Sequence, residues 1–271
     1  MGRRVELTKE QEEQIIYNYT VLKYGQKKSG AFIPVSDKIV KRVLEKYNIK
    51  IKSLQETNVN KLFVNHNYFQ TESEDMAYWI GILGSDGSVN KSENQIYIEL
   101  QRSDRELLEK LNKSIENERP VKDYSTARGY DNSKLYFYSK QIKQDLALYK
   151  IIPNKTYDKN YGFPNKLNKK YYPDYIRGLF DGDGSIKKGN SITWQIDTNS
   201  LEIVETIKKY LLEEHHLQAE WTVIPKKNMD LYRIYMYGKE KCLKIYNIMY
   251  STNSELFLKR KKDKFIELLN L

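Results

Sequence analysis

The feature that most constrains the fold of this chain is an internal repeat. AYWIGILGSDGSV at residues 77–89 and DYIRGLFDGDGSI at residues 174–186 share an apolar helical stretch and an Asp-Gly-Ser ending. Each copy continues with a strand of alternating apolar and polar residues, an amphipathic helix, a second strand and a second helix. The repeat predicts two similar α+β half-domains, which we place at residues 71–170 and 171–271.

Residues 1–70 precede the repeat and carry most of the excess positive charge. They hold 13 Lys and Arg against 7 Asp and Glu, which is +6 of the net charge of +10. Thr8 and Gln11 form a capping-box pattern, and Ser36 precedes a second helical stretch with Lys41 and Arg42 on its polar side. The pattern favours a helix-turn-helix-like DNA-binding module or a small helical cap with a solvated charged face. Residues 52–70 are predicted to be a linker.

Composition narrows the function classes. The pI near 9.2 favours a polyanionic partner over a membrane surface. The single cysteine, Cys242, excludes an internal disulfide, and three histidines (His66, His215 and His216) add too few ligands for a structural zinc site. The first residues lack the apolar core of a signal peptide, and no apolar run reaches membrane-spanning length. We therefore expect an intracellular protein, cytoplasmic near the nucleoid or organellar.

Two aspartates occupy equivalent positions in the repeat. Asp86 and Asp183 each end a predicted apolar helix and precede a glycine suited to a left-handed turn. Gly81 and Gly178, five residues earlier, leave room for the two helices to pack closely and bring the carboxylates together. Mg²⁺ prefers carboxylate oxygens, and it assists phosphodiester hydrolysis. The alternative is that each Asp-Gly pair only ends a helix.

WIGILGSDG at residues 79–87 and IRGLFDGDG at 176–184 resemble the two namesake motifs of the LAGLIDADG homing endonucleases, over about residues 70–271. The resemblance implies αββαββα-like halves in a pseudo-twofold arrangement, with antiparallel sheets forming a saddle over DNA. It also implies that Asp86 and Asp183 hold two or more Mg²⁺ ions. A monomer would then cut both strands of double-stranded DNA, leaving 3′ overhangs. The first motif has Gly84 where the second has Asp181.

Further site residues follow from the same resemblance. It places a basic residue near each cleavage centre, at Lys155 and Lys261, and a water-orienting polar residue at Gln101 and Thr198. No main-chain ligand is assigned at position 85. The N-terminal segment resembles the helix-turn-helix extension of phage-type members, although a Gly, Lys and Pro-containing stretch replaces the expected short helix between positions 19 and 36.

The alternating strands predict which side chains face DNA. One face of each strand is apolar and can pack on helices, while the other is rich in residues that hydrogen-bond to base edges. The polar faces carry Gln95, Tyr97, Glu99, Lys134, Tyr136 and Tyr138 in the first half, and Thr193, Gln195, Asp197, Arg233, Tyr235 and Tyr237 in the second. The alternative is an ordinary exposed sheet face.

Two other classes of function remain open from the sequence. A DNA-binding regulator or an RNA-splicing maturase could keep this fold without cleaving DNA, although both aspartates are present. A protein-interaction module would show no salt-dependent DNA binding. The chain begins at Met1 without a nucleophilic Cys or Ser, so we expect an intron-encoded or free-standing gene rather than an intein, and no required protein partner.

Overall fold

The computed structural model describes residues 7–21, 26–30, 33, 35–51, 62–158, 160–227 and 229–271. It divides into two compact units, Met1–Lys61 and Leu62–Leu271. The larger unit therefore begins before the predicted boundary at residue 70, because Val64 and Phe69 are buried in its core. The second half of the predicted linker, from Leu62 on, thus belongs to this unit, while residues 52–61 lie outside the described residues.

The smaller unit contains helices α1 (Lys9–Thr20), α2 (Gln26–Ser29) and α3 (Asp37–Lys46). The capping box at Thr8 and Gln11 forms as predicted, whereas the Ser36 side chain makes no capping hydrogen bond. The sequence predicts no helix at α2, because four residues are too short to show a periodicity. Tertiary contacts stabilise it instead, since the buried Asn18 amide donates to the Ser29 carbonyl at 3.2 Å.

The larger unit contains the duplicated αββαββα order that the family resemblance implies. The first half comprises α4 (Glu74–Ser85), β1 (Gly87–Val89), β2 (Gln95–Gln101), α5 (Arg105–Ser114), β3 (Lys122–Ser125), β4 (Asp131–Tyr138) and α6 (Lys140–Leu148). The second comprises α7 (Tyr172–Asp183), β5 (Gly184–Lys188), β6 (Ile192–Thr198), α8 (Leu201–His215), β7 (Glu220–Ile224), β8 (Leu231–Tyr237) and α9 (Lys239–Tyr250). A further helix, α10 (Lys259–Leu269), follows. The α+β fold class is confirmed.

Each half builds a four-stranded antiparallel sheet, in the order β1-β2-β4-β3 and β5-β6-β8-β7. Burial alternates along β2 and β4, so the apolar residues Ile96, Ile98, Leu135 and Phe137 enter the core while the residues between them are half-buried. Short 3₁₀ turns at Tyr68–Gln70, Arg102–Asp104, Lys155–Tyr157 and Lys169–Tyr171 connect the elements.

The motif helices α4 and α7 pack against each other in the core of the larger unit. In α4 every residue from Met76 to Gly84 is buried, which is typical of a helix that is apolar on all sides. Ser73 accepts a hydrogen bond from the Met76 N–H at the start of α4, and Pro173 lies in the first turn of α7. Within the described residues, no helix combines the length and apolarity needed to cross a membrane.

Candidate functional site

Two glycines let α4 and α7 touch along their backbones. A Cβ atom on Gly81 would lie 2.3 Å from the Tyr175 carbonyl oxygen, and one on Gly178 would lie 2.4 Å from the Tyr78 carbonyl oxygen. No side chain fits in either space. The structure therefore places Gly81 and Gly178 at the crossing of the helices, and this crossing brings the two helix ends to one place.

Asp86 and Asp183 meet at these helix ends. Asp86 caps α4, and Asp183 is the last residue of α7. The Asp86 carboxylate reaches the neighbouring helix, since a Cβ atom on Gly182 would lie 3.2 Å from Asp86 Oδ2. Two residues that are far apart in the sequence therefore form one acidic pair.

Gly87 and Gly184, which follow the two aspartates, do not form the left-handed turns that the sequence predicts. Neither Gly87 nor Gly184 has a positive φ, and Gly184 is extended (φ −90°, ψ 166°) at the start of β5. A side chain is excluded by crowding instead: a Cβ atom would lie 2.6 Å from the Leu83 Cα at Gly87 and 2.7 Å from the Phe180 Cα at Gly184. Each glycine allows a strand to start directly against the end of its motif helix.

Electrostatics set the acidic pair apart from ordinary surface aspartates. Burial, followed by the neighbouring Asp86 charge, raises the pKa of Asp183 to about 6, and Lys155 and Lys261 oppose this rise. Burial also raises the pKa of Asp86, opposed by the same two lysines. Both side chains are nonetheless exposed to solvent. Protein thus surrounds each carboxylate on most sides and leaves one side open.

Two lysines hold the ends of the motif helices. Lys261 Nζ, in a side chain only 9% exposed, donates to the carbonyls of Phe180 (2.7 Å), Gly182 (3.0 Å) and Gly184 (2.7 Å). Burial lowers its pKa to about 8, opposed by the nearby Asp181. A fixed positive charge at a helix C-terminus is favourable because it meets the negative end of the helix dipole.

Lys155 is the counterpart of Lys261 in the first half. Its Nζ donates to the carbonyls of Ser85 (3.1 Å) and Gly87 (2.5 Å), which correspond to positions 182 and 184 in the second motif. Burial lowers its pKa, opposed by Asp183 and Asp86. The structure therefore brings Lys155 and Lys261 to equivalent positions beside the acidic pair. Position 85 contributes a main-chain carbonyl to a lysine.

Asp181, two residues before Asp183, supports the second motif helix from within the core. Asp181 is fully buried, and its Oδ2 accepts from the Tyr78 hydroxyl (2.7 Å) and the Leu258 N–H (2.8 Å). Leu258 precedes α10, the helix that carries Lys261. Burial raises the pKa of Asp181 to about 6. Asp181 thus joins the motif helix to the element that supplies the lysine.

A tyrosine takes the equivalent place in the first half, where the motif has Gly84. The buried Tyr161 donates from its hydroxyl to the Gly84 carbonyl at 2.8 Å, and a Cβ atom on Gly84 would lie 3.1 Å from that hydroxyl. The Tyr161 hydroxyl also interacts with the hydroxyl of Thr198. Sequence analysis missed Tyr161, because nothing distinguishes it among 23 tyrosines.

Strand register corrects one predicted pair of residues. Gly87 pairs with Ile98, whereas Gly184 pairs with Ile196, so the second half has one extra residue between motif and strand. The counterpart of the exposed Gln101 is therefore Asn199, one residue beyond Thr198. A one-residue shift moves a side chain to the opposite face of a sheet.

Thr198 accordingly faces the core and is 6% exposed, so the predicted water-orienting role does not fit it. Asn199 lies at the site, and its Nδ2 donates to the carbonyls of Thr156 (2.7 Å) and Lys155 (3.3 Å). Aligning β2 with β6 by their alternation of apolar and polar residues, instead of by distance from the aspartates, would have identified Asn199.

A second contact supports the corresponding segment of the first half. Arg260 donates from Nε to the Asp104 carboxylate at 2.9 Å.

The predicted DNA-facing side chains fall into two groups. In the first sheet all six lie on the face away from the core and are half-buried: Gln95, Tyr97, Glu99, Lys134, Tyr136 and Tyr138. In the second sheet Asp197, Arg233, Tyr235 and Tyr237 are accessible, but Thr193 and Gln195 are only 9% and 8% exposed. The prediction of open base-reading groups is therefore wrong for Thr193 and Gln195, whose cross-strand neighbours are the large Tyr237 and Tyr235.

In the smaller unit, Lys41 and Arg42 are exposed on α3, and Lys41 pairs with Glu45 at 3.7 Å.

The acidic pair fits a divalent cation. In the part of the chain that the structure describes, neither carboxylate has a hydrogen bond or an ion pair, and no cluster of three or more His, Cys, Asp or Glu could hold a metal ion. Two mutually repelling carboxylates with an open side and without a direct ion pair among the described residues are hard oxygen donors suited to a cation. The remaining ligands of such a cation would have to be water or substrate oxygens.

A family model described as a LAGLIDADG-like domain matches residues 73–136 and 171–249. The chain belongs to this family. An uncharacterised protein of Methanocaldococcus jannaschii is 30% identical over 173 residues, which are 56% of this chain and 57% of that protein. The chain thus spans little more than half the length of this relative.

Solved structures with a similar fold include the N-terminal LAGLIDADG domain of DUF199/WhiA, which is 15% identical with a TM-score of 0.45 over 70% of this chain and 91% of that one. The homing endonuclease I-WcaI bound to its DNA recognition sequence is 15% identical, with a TM-score of 0.48 over 73% and 90%. I-DmoI in complex with DNA and Ca is 14% identical, with a TM-score of 0.48 over 75% and 99%.

Proposed function

We propose that this protein is a site-specific endonuclease that hydrolyses both strands of double-stranded DNA, with Mg²⁺ held by Asp86 and Asp183. One observation carries the proposal: two aspartates from equivalent motifs meet at the ends of packed helices, open on one side and without a direct ion pair among the described residues. Membership of the LAGLIDADG-like family supports it. We further propose that one chain suffices and that the cuts leave 3′ overhangs.

The carboxylates of Asp86 and Asp183 would supply the protein's ligands to the metal. When bound, divalent ions lower the pKa of water and neutralise charge on the phosphate. The raised pKa of Asp183, about 6, means that both carboxylates are mostly ionised, and able to bind a cation, only above that pH. We therefore expect binding of Mg²⁺ to weaken as the pH falls through 6.

Lys155 and Lys261 would stabilise negative charge that develops on the phosphate. Each ammonium is fixed by main-chain carbonyls, so little reorganisation accompanies the reaction. Lys261, with a pKa of about 8, is mostly protonated at neutral pH. Gln101 and Asn199 are the polar side chains at the corresponding strand ends, and we assign them the role of orienting water.

The polar faces of the two sheets would contact the DNA. They present lysine, arginine, glutamine and tyrosine side chains, which hydrogen-bond to base edges and phosphates. We propose that the smaller unit adds affinity through the exposed Lys41 and Arg42 on α3. Contacts to phosphates make such binding strongly dependent on salt.

The decisive experiment is incubation of the purified chain with a randomised double-stranded library and Mg²⁺, followed by sequencing of the ends. The proposal requires discrete cut sites for the wild type. Asp86→Asn and Asp183→Asn should abolish the cuts and keep DNA binding. Asp75→Asn is the matched control, because Asp75 lies in the first turn of α4, at the other end from Asp86.

The other outcomes identify the alternatives. Salt-dependent DNA binding by the wild type without any cut, in Mg²⁺ or Mn²⁺, would indicate a DNA-binding regulator. Absence of salt-dependent DNA binding would overturn the proposal altogether and favour a protein-interaction module.

A further inference from the structure

An acid and a base face each other across the same two strands in both sheets. Glu99 on β2 is the register partner of Lys134 on β4, and Asp197 on β6 is the register partner of Arg233 on β8. Glu99 follows Ile98, which pairs with Gly87 of the first motif. Asp197 likewise follows Ile196, which pairs with Gly184 of the second motif. The internal repeat therefore relates the two acid–base pairs.

Both pairs are firmly connected. Lys134 Nζ lies 2.6 Å from Glu99 Oε1, while Arg233 donates from Nε to Asp197 Oδ1 (2.6 Å) and from Nη2 to Asp197 Oδ2 (2.7 Å). The Tyr124 hydroxyl donates to Glu99 Oε2 at 2.7 Å and fixes the first pair further.

The two pairs also share an environment. All four side chains lie on the face away from the core. The exposed fraction is 29% for Lys134 and 34% for Glu99 in the first sheet, and 31% for Arg233 and 28% for Asp197 in the second. Half-exposed ion pairs contribute little to stability. Their recurrence at equivalent positions of otherwise different sheets therefore points to a role in binding.

The contacts within the pairs favour the ionised forms of Glu99 and Arg233. Burial raises the pKa of Glu99, but hydrogen bonds from Lys134 and Tyr124 outweigh it and hold the pKa below its ordinary value. The hydrogen bond to Asp197 raises the pKa of Arg233. Each pair thus presents a charged donor group beside a charged acceptor group.

A G·C base pair offers the complement of this arrangement in the major groove. Guanine presents the acceptors N7 and O6, and cytosine presents the N4 donor beside them. O6 and N4 are hydrogen-bonded to each other, so they lie about 3 Å apart. The donor nitrogen and the carboxylate oxygen lie 2.6 Å apart between Lys134 Nζ and Glu99 Oε1 and 2.7 Å apart between Arg233 Nη2 and Asp197 Oδ2, which is close to that spacing.

Adenine is a poorer match, especially for Arg233. Asp197 occupies the Nε side of the guanidinium, and donors on Nη1 and Nη2 remain for a ligand. Two parallel donors fit N7 and O6 of guanine, whereas in adenine the second donor meets the N6 amino group. Lys134 is a point charge without this fork, so it distinguishes the two purines less sharply.

We propose that each acid–base pair reads one G·C base pair, at positions related by the internal repeat, one in each half of the target. This inference rests on the proposed DNA-binding function. It requires G·C at two positions equidistant from the centre of the target. Discrimination is stronger in the half that Arg233 and Asp197 contact than in the half that Lys134 and Glu99 contact.

The test is selection of bound duplexes from a random library with Ca²⁺ in place of Mg²⁺, which reads binding independently of cleavage. Arg233→Ala should lower the preference for G·C at one position by roughly 10- to 100-fold. Lys134→Ala should lower it less, at the equidistant position in the other half. The matched control is Lys209→Ala, because Lys209 is exposed on α8, on the opposite side of the sheet from the polar face.

The exchanges Lys134→Arg and Arg233→Lys keep the charge and the fold and should reverse the order of discrimination between the halves. Bound sequences without G·C at equidistant positions, or preferences that Arg233→Ala leaves unchanged, would overturn this inference alone. A wild-type chain that selects no DNA would overturn the proposed function and this inference with it.

Discussion

The two motif helices end alike but are supported differently. In the second half Lys261 binds three carbonyls, and Asp181 ties α7 to the helix that carries this lysine. In the first half Lys155 binds two carbonyls, and Tyr161 takes the place beside Gly84. The acid and the lysine proposed to act at each cleavage centre are the same in both halves, while the residues that position them differ.

Hydrogen bonds between the halves support both lysine-bearing segments. Asn199 of the second half holds the main chain at Lys155, and Arg260 of the second half holds Asp104 of the first. Each lysine-bearing segment is therefore attached to the strand end of the other half. The comparison teaches that the acidic pair depends on both halves, so a change in one half should affect both acids.

The largest expected effect on stability comes from Lys261→Met. It removes three hydrogen bonds that the largely buried ammonium donates to carbonyls at the end of α7, which lowers the free energy of unfolding by about 3 kcal/mol or more. Lys155→Met removes two hydrogen bonds at a less buried position and should cost less. Urea denaturation of the two variants measures the difference, and equal losses would contradict the asymmetry.

Asp181→Ala should have the next largest effect. It leaves the buried Tyr78 hydroxyl and Leu258 N–H without an acceptor, at a cost of about 2 kcal/mol. Asp181→Asn keeps an acceptor oxygen and should lose less. If thermal unfolding shows the two variants to be equally stable, Asp181 does not hold α10 in the way described.

Tyr161→Phe tests the support of the first motif. Loss of one hydrogen bond should cost about 1 kcal/mol. Gly84→Ala should destabilise the wild type more than the Tyr161→Phe variant, because the added Cβ lies 3.1 Å from the hydroxyl that this variant lacks. A double-mutant cycle by urea denaturation measures this coupling, and strictly additive losses would show that the two residues do not interact.

The smallest expected effect is a gain in stability. The pKa of Asp183 is raised to about 6 in the folded state, so its contribution to stability is fully present below the ordinary value and is lost as pH rises through 6. Asp183→Asn should therefore melt at a higher temperature than the wild type at pH 7.5, with the gap closing near pH 4. Mg²⁺ should stabilise the wild type but not the variant; an unchanged melting temperature at pH 7.5 would contradict this.

The positions of the acids were accessible from the sequence because the repeat marks them twice, and those of the lysines because the family resemblance implies a basic residue near each cleavage centre. Gly81 and Gly178 indicate a close helix crossing, and Asp86 and Asp183 then follow at the ends. Asn199 was missed because the strand that precedes it starts one residue later than distance from the aspartate implies. Tyr161 and the Arg260–Asp104 contact were missed because they join segments that no local pattern relates.

The sequence by itself determined the duplicated α+β order, the helix ends that carry the acids and the alternation of the strands, because these depend on local spacing and periodicity. Only the tertiary structure decided which neighbours surround those elements. It raised the pKa of Asp183, covered Thr193 and Gln195, and placed a tyrosine beside Gly84. Burial and charge proximity are sums over residues distant in the chain, so they exist only once the chain has folded.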